Sequence, residues 1–209
     1  MIAPPTIAAV EWADRRRELF GDPYLVWHDG PEFTAVVAAA RADPAGLARD
    51  LAAGVRLGDP VAAQAYGVLA GHDLVPADAL AVLRGALPAA RGSFLVRVAE
   101  ALFLITGDPG WAEPLVSVLR TGEFWGERID AAIALHRFAP TPALVAALAD
   151  GMTDQEYLVR YHAASTLLRW AGLAATASDH PATFDAICQT ADPAAYRAAA
   201  DRLAARLAG

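Results

Sequence analysis

The sequence predicts an all-α protein: a right-handed α-α superhelix, or helical solenoid, of about five helix pairs with capping helices at both ends. Three observations predict it. The first is a repeat. Leu95-Val96-Arg97-Val98-Ala99-Glu100-Ala101-Leu102, Gly126-Glu127-Arg128-Ile129-Asp130-Ala131-Ala132-Ile133 and Leu158-Val159-Arg160-Tyr161-His162-Ala163-Ala164-Ser165 share one pattern, with their arginines 31 and 32 residues apart. Self-similarity at such a period marks repeat architectures that bury a core by stacking. The second is composition. About a quarter of the chain is Ala, the strongest helix former, and 56% is hydrophobic, enough for a sizeable core. The third is punctuation. Asp22-Pro23, Asp43-Pro44, Asp59-Pro60, Asp108-Pro109 and Asp192-Pro193 each pair a helix-capping side chain with the residue best suited to a first turn.

Read between these marks, the elements follow in order. An opening helix covers 6–19, and a loop rich in aromatics runs from Tyr24 to Phe33. Helix pairs are expected at 32–41 with 45–56, 60–70 with 76–86, 92–106 with 110–121, 126–138 with 141–150, and 155–171 with 181–189. A last amphipathic helix covers 193–207. The short polar connections suit antiparallel neighbours. The whole chain, 1–209, reads as one domain: residues 1–57 form a cap and a divergent repeat, 58–172 the recognisable repeats, and 173–209 a second cap. Atypical end units are expected, because terminal repeats present a polar outer face.

Charge and cysteine content narrow the function classes. All 17 basic residues are Arg, as a GC-rich genome would encode, and the net charge is −7. Non-specific nucleic-acid binding depends on neutralising phosphates, so an acidic chain without Lys is a poor candidate. The single cysteine, Cys188, excludes an internal disulfide and sits in the apolar pattern Phe184-x-x-Ile187-Cys188, which predicts a buried, inert thiol. Met1-Ile2-Ala3-Pro4-Pro5 lacks the basic start of a signal peptide, and no apolar run approaches the roughly 20 residues needed to cross a bilayer. A cytoplasmic protein is the expectation.

The repeat units resemble HEAT repeats of the short type found in bilin-lyase-like proteins, whose first helix reads Val-Arg-x-x-Ala-Ala-x-x-Leu. Leu158-Val159-Arg160-Tyr161-His162-Ala163-Ala164-Ser165-Thr166-Leu167 carries the pattern most fully. A Leu-rich second helix appears as Ala112-Glu113-Pro114-Leu115-Val116-Ser117-Val118-Leu119. The resemblance covers about residues 58–172 and bears on architecture, since such arrays serve many roles. Two departures stand out: Glu127 occupies a slot that is normally Val, and Glu100 one that is normally Ala.

At 100° per residue, positions −1, +3, +4 and +7 from each arginine share one side, and −2, +1, +5 and +9 lie opposite, with +2 near their edge. The resemblance implies that the second face lines a concave groove. The expected groove is apolar, with Leu95, Val98, Leu102, Ile129 and Ile133 along it and Tyr161 at one end. A covering helix would bury the same residues instead. Position −3 repeats an aromatic, Phe94, Trp125 and Tyr157, suited either to anchoring a partner or to packing between repeats. Position +2 reads Gln64, Ala99, Asp130 and His162. The repeated arginines themselves are expected to pair with loop carboxylates or carbonyls.

No strong catalytic motif appears: there is no phosphate loop, no dinucleotide fingerprint and no zinc signature. Glu127 and Asp130, beside Trp125, suit either acid–base work or a solvated pair at a helix start. Trp27-His28-Asp29 reads as a turn or a functional loop. Some HEAT-like arrays are DNA glycosylases. Trp125, Asp130, Arg128, Arg160 and Arg169 invite that comparison, but the local Trp-Asp-x-x-Asp arrangement is missing. The expectation is a non-catalytic scaffold for a protein or peptide, using Trp125, Tyr161, Ile129 and Ile133 as anchors, with Asp130, His162, Arg137 and Arg169 setting orientation. A small apolar ligand, as in a bilin-lyase-like protein, is the alternative. No cofactor, metal, nucleic acid or membrane is called for.

Overall fold

The computed structural model describes residues 6–189 and 191–208; the Met1–Pro5 segment lies outside them. All regular secondary structure among the described residues is helical, with no strand. In chain order the helices are α1 (Ile7–Phe20), α2 (Pro23–Asp29), α3 (Thr34–Ala42), α4 (Pro44–Arg56), α5 (Pro60–Ala70), α6 (Ala79–Ala86), α7 (Gly92–Thr106), α8 (Ala112–Thr121), α9 (Trp125–Leu135), α10 (Pro142–Gly151), α11 (Tyr157–Trp170), α12 (Pro181–Phe184) and α13 (Pro193–Leu207). None is long and apolar enough to cross a membrane.

Side-chain capping explains several of these starts. The side chains of Asp22, Asp43, Asp59 and Asp192 each accept a hydrogen bond at 2.9 Å from a backbone N–H of the first turn that follows. Each thereby satisfies a donor that the helix itself leaves unpaired. Thr141 does the same for α10 through Leu144 N at 3.3 Å. Three expectations are corrected. The aromatic stretch from Tyr24 to Phe33 is not all loop, because Asp22-Pro23 starts α2 there. The helix expected from 76 begins at Ala79. The helix expected over 181–189 is one α-turn continued by the π-helical turn Asp185–Gln189.

The chain forms two compact units. Among the described residues, the first holds those up to Ala90 with Arg97–Asp108, and the second holds Arg91–Val96 and those from Pro109 onward. In the first unit α1 packs on α3 and α4, α3 on α4 and α5, and α4 on α5 and α6. Its core gathers Trp12, Phe20, Leu47, Leu51, Tyr66, Leu69 and Leu83. Asp59 ties α1 to the α4–α5 turn: Trp12 Nε1 donates to it at 2.9 Å and Arg16 Nε at 2.6 Å, while it also caps α5. Gly54 admits the Trp12 ring, since a β-carbon there would overlap it.

In the second unit α9 packs on α11 and α8 on α10, so alternate helices are neighbours there, and α10 also packs on α13. Two arginines repeat one geometry along it. Arg128 Nη1 donates to Gly122 O at 2.8 Å, and its Nε and Nη2 grip both oxygens of Asp154 at 2.8 and 3.0 Å. Arg160 Nη1 donates to Asp154 O and Gln155 O at 2.7 and 2.9 Å, and its Nε to Ile187 O at 2.7 Å. Its guanidinium also lies 4.1 Å from the centre of the Tyr196 ring. Each arginine thus holds the turn before its own helix and the turn before or within the next pair. Both side chains are buried, where fully hydrogen-bonded charge is tolerable and unpaired charge is costly.

Candidate functional site

A cavity of about 310 Å³ opens between the C-terminal end of α9 and the middle of α11. It is lined by Ile133 of the first and His136 at its C-cap, by Tyr161, His162, Ser165, Thr166 and Arg169 of the second, and by Ala175 and Thr176 of the loop beyond. Its walls are built by ordinary backbone accounting. Thr166 Oγ1 donates to Ala132 O at 2.9 Å and Trp170 Nε1 to His136 O at 3.4 Å, joining the two helices. Ser165 Oγ donates to Tyr161 O at 2.8 Å and accepts from Ala177 N at 2.9 Å. That bond holds the 3₁₀ turn Ala177–Asp179 against α11. Thr176 and Asp179 close the turn as a reciprocal capping box. Tyr161 Oη lies 3.0 Å from Ser178 Oγ, and hydrogen bonding to Ser178 and Thr176 draws the phenol pKa down.

Four of the eleven residues expected to bind a partner meet here: Ile133, Tyr161, His162 and Arg169. His162 is half-buried; burial pushes its imidazole pKa below the ordinary value of 6.5, and the Asp130 carboxylate opposes that push. The Asp130 carboxylate of α9 thus acts on the charge of His162 in α11. Asp130 is also held by Ser93 Oγ at 2.6 Å. Its neighbour Glu127 lies against Gly92, where φ is +52° and a β-carbon would strike the carboxylate. Both acids of the expected pair thus serve the start of α7, where negative charge suits the helix dipole.

The other expected residues divide. Val98 and Leu102 are completely buried, so the expectation that they line an open groove is corrected: their face of α7 is core. Leu95 is half-buried and lines a separate cavity of about 410 Å³ with Arg91, Gly92, Glu123 and Glu127. Trp125 is 41% exposed beside Phe124, their ring centres 4.9 Å apart, away from the α9–α11 cavity. Ile129 is half-buried, and Arg137 is exposed in the turn beyond α9; neither lines that cavity. In the aromatic row Phe94 is half-buried, whereas Trp125 and Tyr157 are exposed.

His28 lies in α2 rather than a loop, with Nδ1 2.6 Å from Asp29 Oδ1 on the exposed surface; the Trp27 side chain falls outside the described residues. Cys188 is half-buried, and burial raises its thiol pKa, which keeps it protonated. Among the described residues no three His, Cys, Asp or Glu side chains gather where they could hold a metal ion.

Sequence reasoning missed His136, Thr166, Ala175 and Thr176. His136 stands at position +8, about 20° around the helix from +1, so its face was readable from periodicity. Ala175 and Thr176 come from a non-periodic loop that leaves no such signal. Comparison with known protein families, characterised proteins and solved structures finds no match to this chain.

Proposed function

We propose that the chain is a HEAT-like α-solenoid acting as a non-catalytic binding scaffold, and that its partner, a protein or peptide segment, engages the α9–α11 face. What supports the architecture is the packing of alternate helices, α9 on α11 and α8 on α10, with the arginine grip repeated from Arg128 to Arg160. Stacked helix pairs bring like helices together in this way. What carries the functional reading is the cavity that joins Ile133, Tyr161, His162 and Arg169. It combines an apolar wall with a few polar groups, the usual make-up of a recognition site. Trp125, exposed at the start of α9, is a further anchor on this reading. A cytoplasmic site of action goes with it.

The test is capture of partners from the native host with the wild-type chain and with Ile133→Arg combined with Tyr161→Ala. The double variant keeps its helical melt and loses the captured partner; retention of the partner overturns the reading. A small-molecule ligand is the second reading, favoured by the cavity volume, which sits at the lower end of ligand pockets of about 300–1,000 Å³.

A further inference from the structure

We propose that the α9–α11 cavity takes a monocarboxylate carrying a small apolar body, with the Arg169 guanidinium receiving the carboxylate. This rests on the reading of that cavity as the binding site and names what enters it.

Three side chains on the cavity keep hydrogen-bonding capacity that the fold does not use. Arg169 spends one of its N–H donors, Nη2 to Ala175 O at 3.1 Å, and forms no ion pair among the described residues. A guanidinium offers five donors in a planar fork that matches a carboxylate in two-point contact. His162 makes no hydrogen bond among the described residues. The His136 Nδ1 lies 2.6 Å from Ile133 O. A carbonyl only accepts, so Nδ1 donates that bond and Nε2 is left for a ligand, as an acceptor when it carries no proton.

The neighbouring acids are engaged elsewhere. Asp179 accepts from Thr176 N and Oγ1 at 3.1 and 2.8 Å. Asp130 accepts from Ser93 and acts on the charge of His162. Arg169 is thus a cation beside a partly apolar wall, with no carboxylate paired to it among the described residues.

The rest of the lining selects the anion. A phosphate dianion calls for more than one cation or for free backbone N–H groups. Here burial favours neutral His162, and the Ala177 N–H of the wall is bonded to Ser165. The hydroxyls of Ser165 and Thr166 are likewise spent on carbonyls. One planar monoanion fits one guanidinium. Ile133, Ala175 and the Tyr161 ring then face the apolar body, and His136 Nε2 can accept an N–H adjoining the carboxylate. A space of about 310 Å³ suits a small organic acid or the terminal residue of a peptide.

The experiment titrates the full isotope-labelled chain with four probes, read by NMR at the His136 and His162 rings. They are 3-phenylpropionate, its primary amide, and the peptide acetyl-Gly-Leu-Phe with a free or an amidated C-terminus. Both acids shift the two rings, and each amide binds at least about tenfold more weakly. The tighter of the two acids shows whether the source is a free acid or a chain terminus. Arg169→Gln brings the acids down to the level of the amides. Should that variant unfold, Arg169→Lys reads the same point: it keeps the charge without the fork, and its preference for acids falls. Equal binding of acid and amide, or an acid preference untouched by these substitutions, overturns the carboxylate inference and leaves the cavity reading standing. Silence from all four probes overturns both.

Discussion

The two ends of α9 and α11 use the same kind of residue for different work. At the N-terminal end Arg128 and Arg160 spend their donors on turns: a bidentate grip on Asp154, three short bonds to Gly122, Asp154 and Gln155 carbonyls, and one to Ile187 O. At the C-terminal end Arg169 makes a single bond, to Ala175 O. The first pair is buried and the third is exposed. A buried guanidinium must be fully paired to be tolerated, so complete pairing marks a structural clamp. An exposed one that is scarcely paired, beside a cavity, is free for a ligand. The contrast separates what holds the second unit together from what, on the proposed reading, it offers to a partner.

The largest effect belongs to the clamp. Removing Asp154 by substitution with Ala strands the buried Arg128 charge and costs about 3–5 kcal/mol. Urea unfolding checks it; a loss under 1 kcal/mol would place the clamp on the surface instead. Next comes the cavity wall. Ser165→Ala leaves Ala177 N–H unpaired in a buried position and costs about 1–3 kcal/mol. Hydrogen exchange at Ala177 quickens in that variant, whereas exchange at the α9–α10 turns stays as it was.

His162 sharpens the comparison through pH. Its folded pKa lies below the unfolded value near 6.5, so the unfolded chain binds the proton more readily. The stability it contributes is complete above that value and is lost as pH falls through the folded pKa. Unfolding free energies of wild type and His162→Gln, measured from pH 8 to pH 5, converge as pH falls. Parallel curves would mean that burial does not govern this imidazole. The smallest effect lies in the first unit. The Tyr66 hydroxyl is buried with no partner among the described residues, and burial raises its pKa far above the usual range. Tyr66→Phe removes an unsatisfied polar atom, so stability holds or rises by about 1 kcal/mol.

Helix placement was the most legible feature of the sequence, because its causes are local. Asp43, Asp59 and Asp192 cap the helices that their Asp-Pro pairs announce, and Arg128 and Arg160 grip turn carbonyls as expected of the repeat arginines, whereas Arg97 pairs with Glu100 of its own helix. Sorting by angle also placed Tyr161, Ser165 and Arg169 on one face of α11, the face that carries the cavity. Burial was less legible. Periodicity assigns Val98 and Leu102 to a face of α7 but says nothing of what covers that face. The cavity wall was hidden for a different reason. The loop from Ala171 to His180 takes its shape from Arg169 to Ala175 O, Ser165 to Ala177 N and Thr176 to Asp179, contacts with no period in the sequence.

The division of labour between the arginines is tested most directly by thermal unfolding of wild type and Arg169→Gln, each with and without saturating 3-phenylpropionate. The account predicts that the unliganded melting temperatures agree within a few degrees, since the substitution loses one exposed hydrogen bond, to Ala175 O. It predicts that only the wild type gains stability from the acid. A variant that melts many degrees lower without ligand, or that keeps the full ligand-induced rise, would make Arg169 another clamp rather than the open end of the pair.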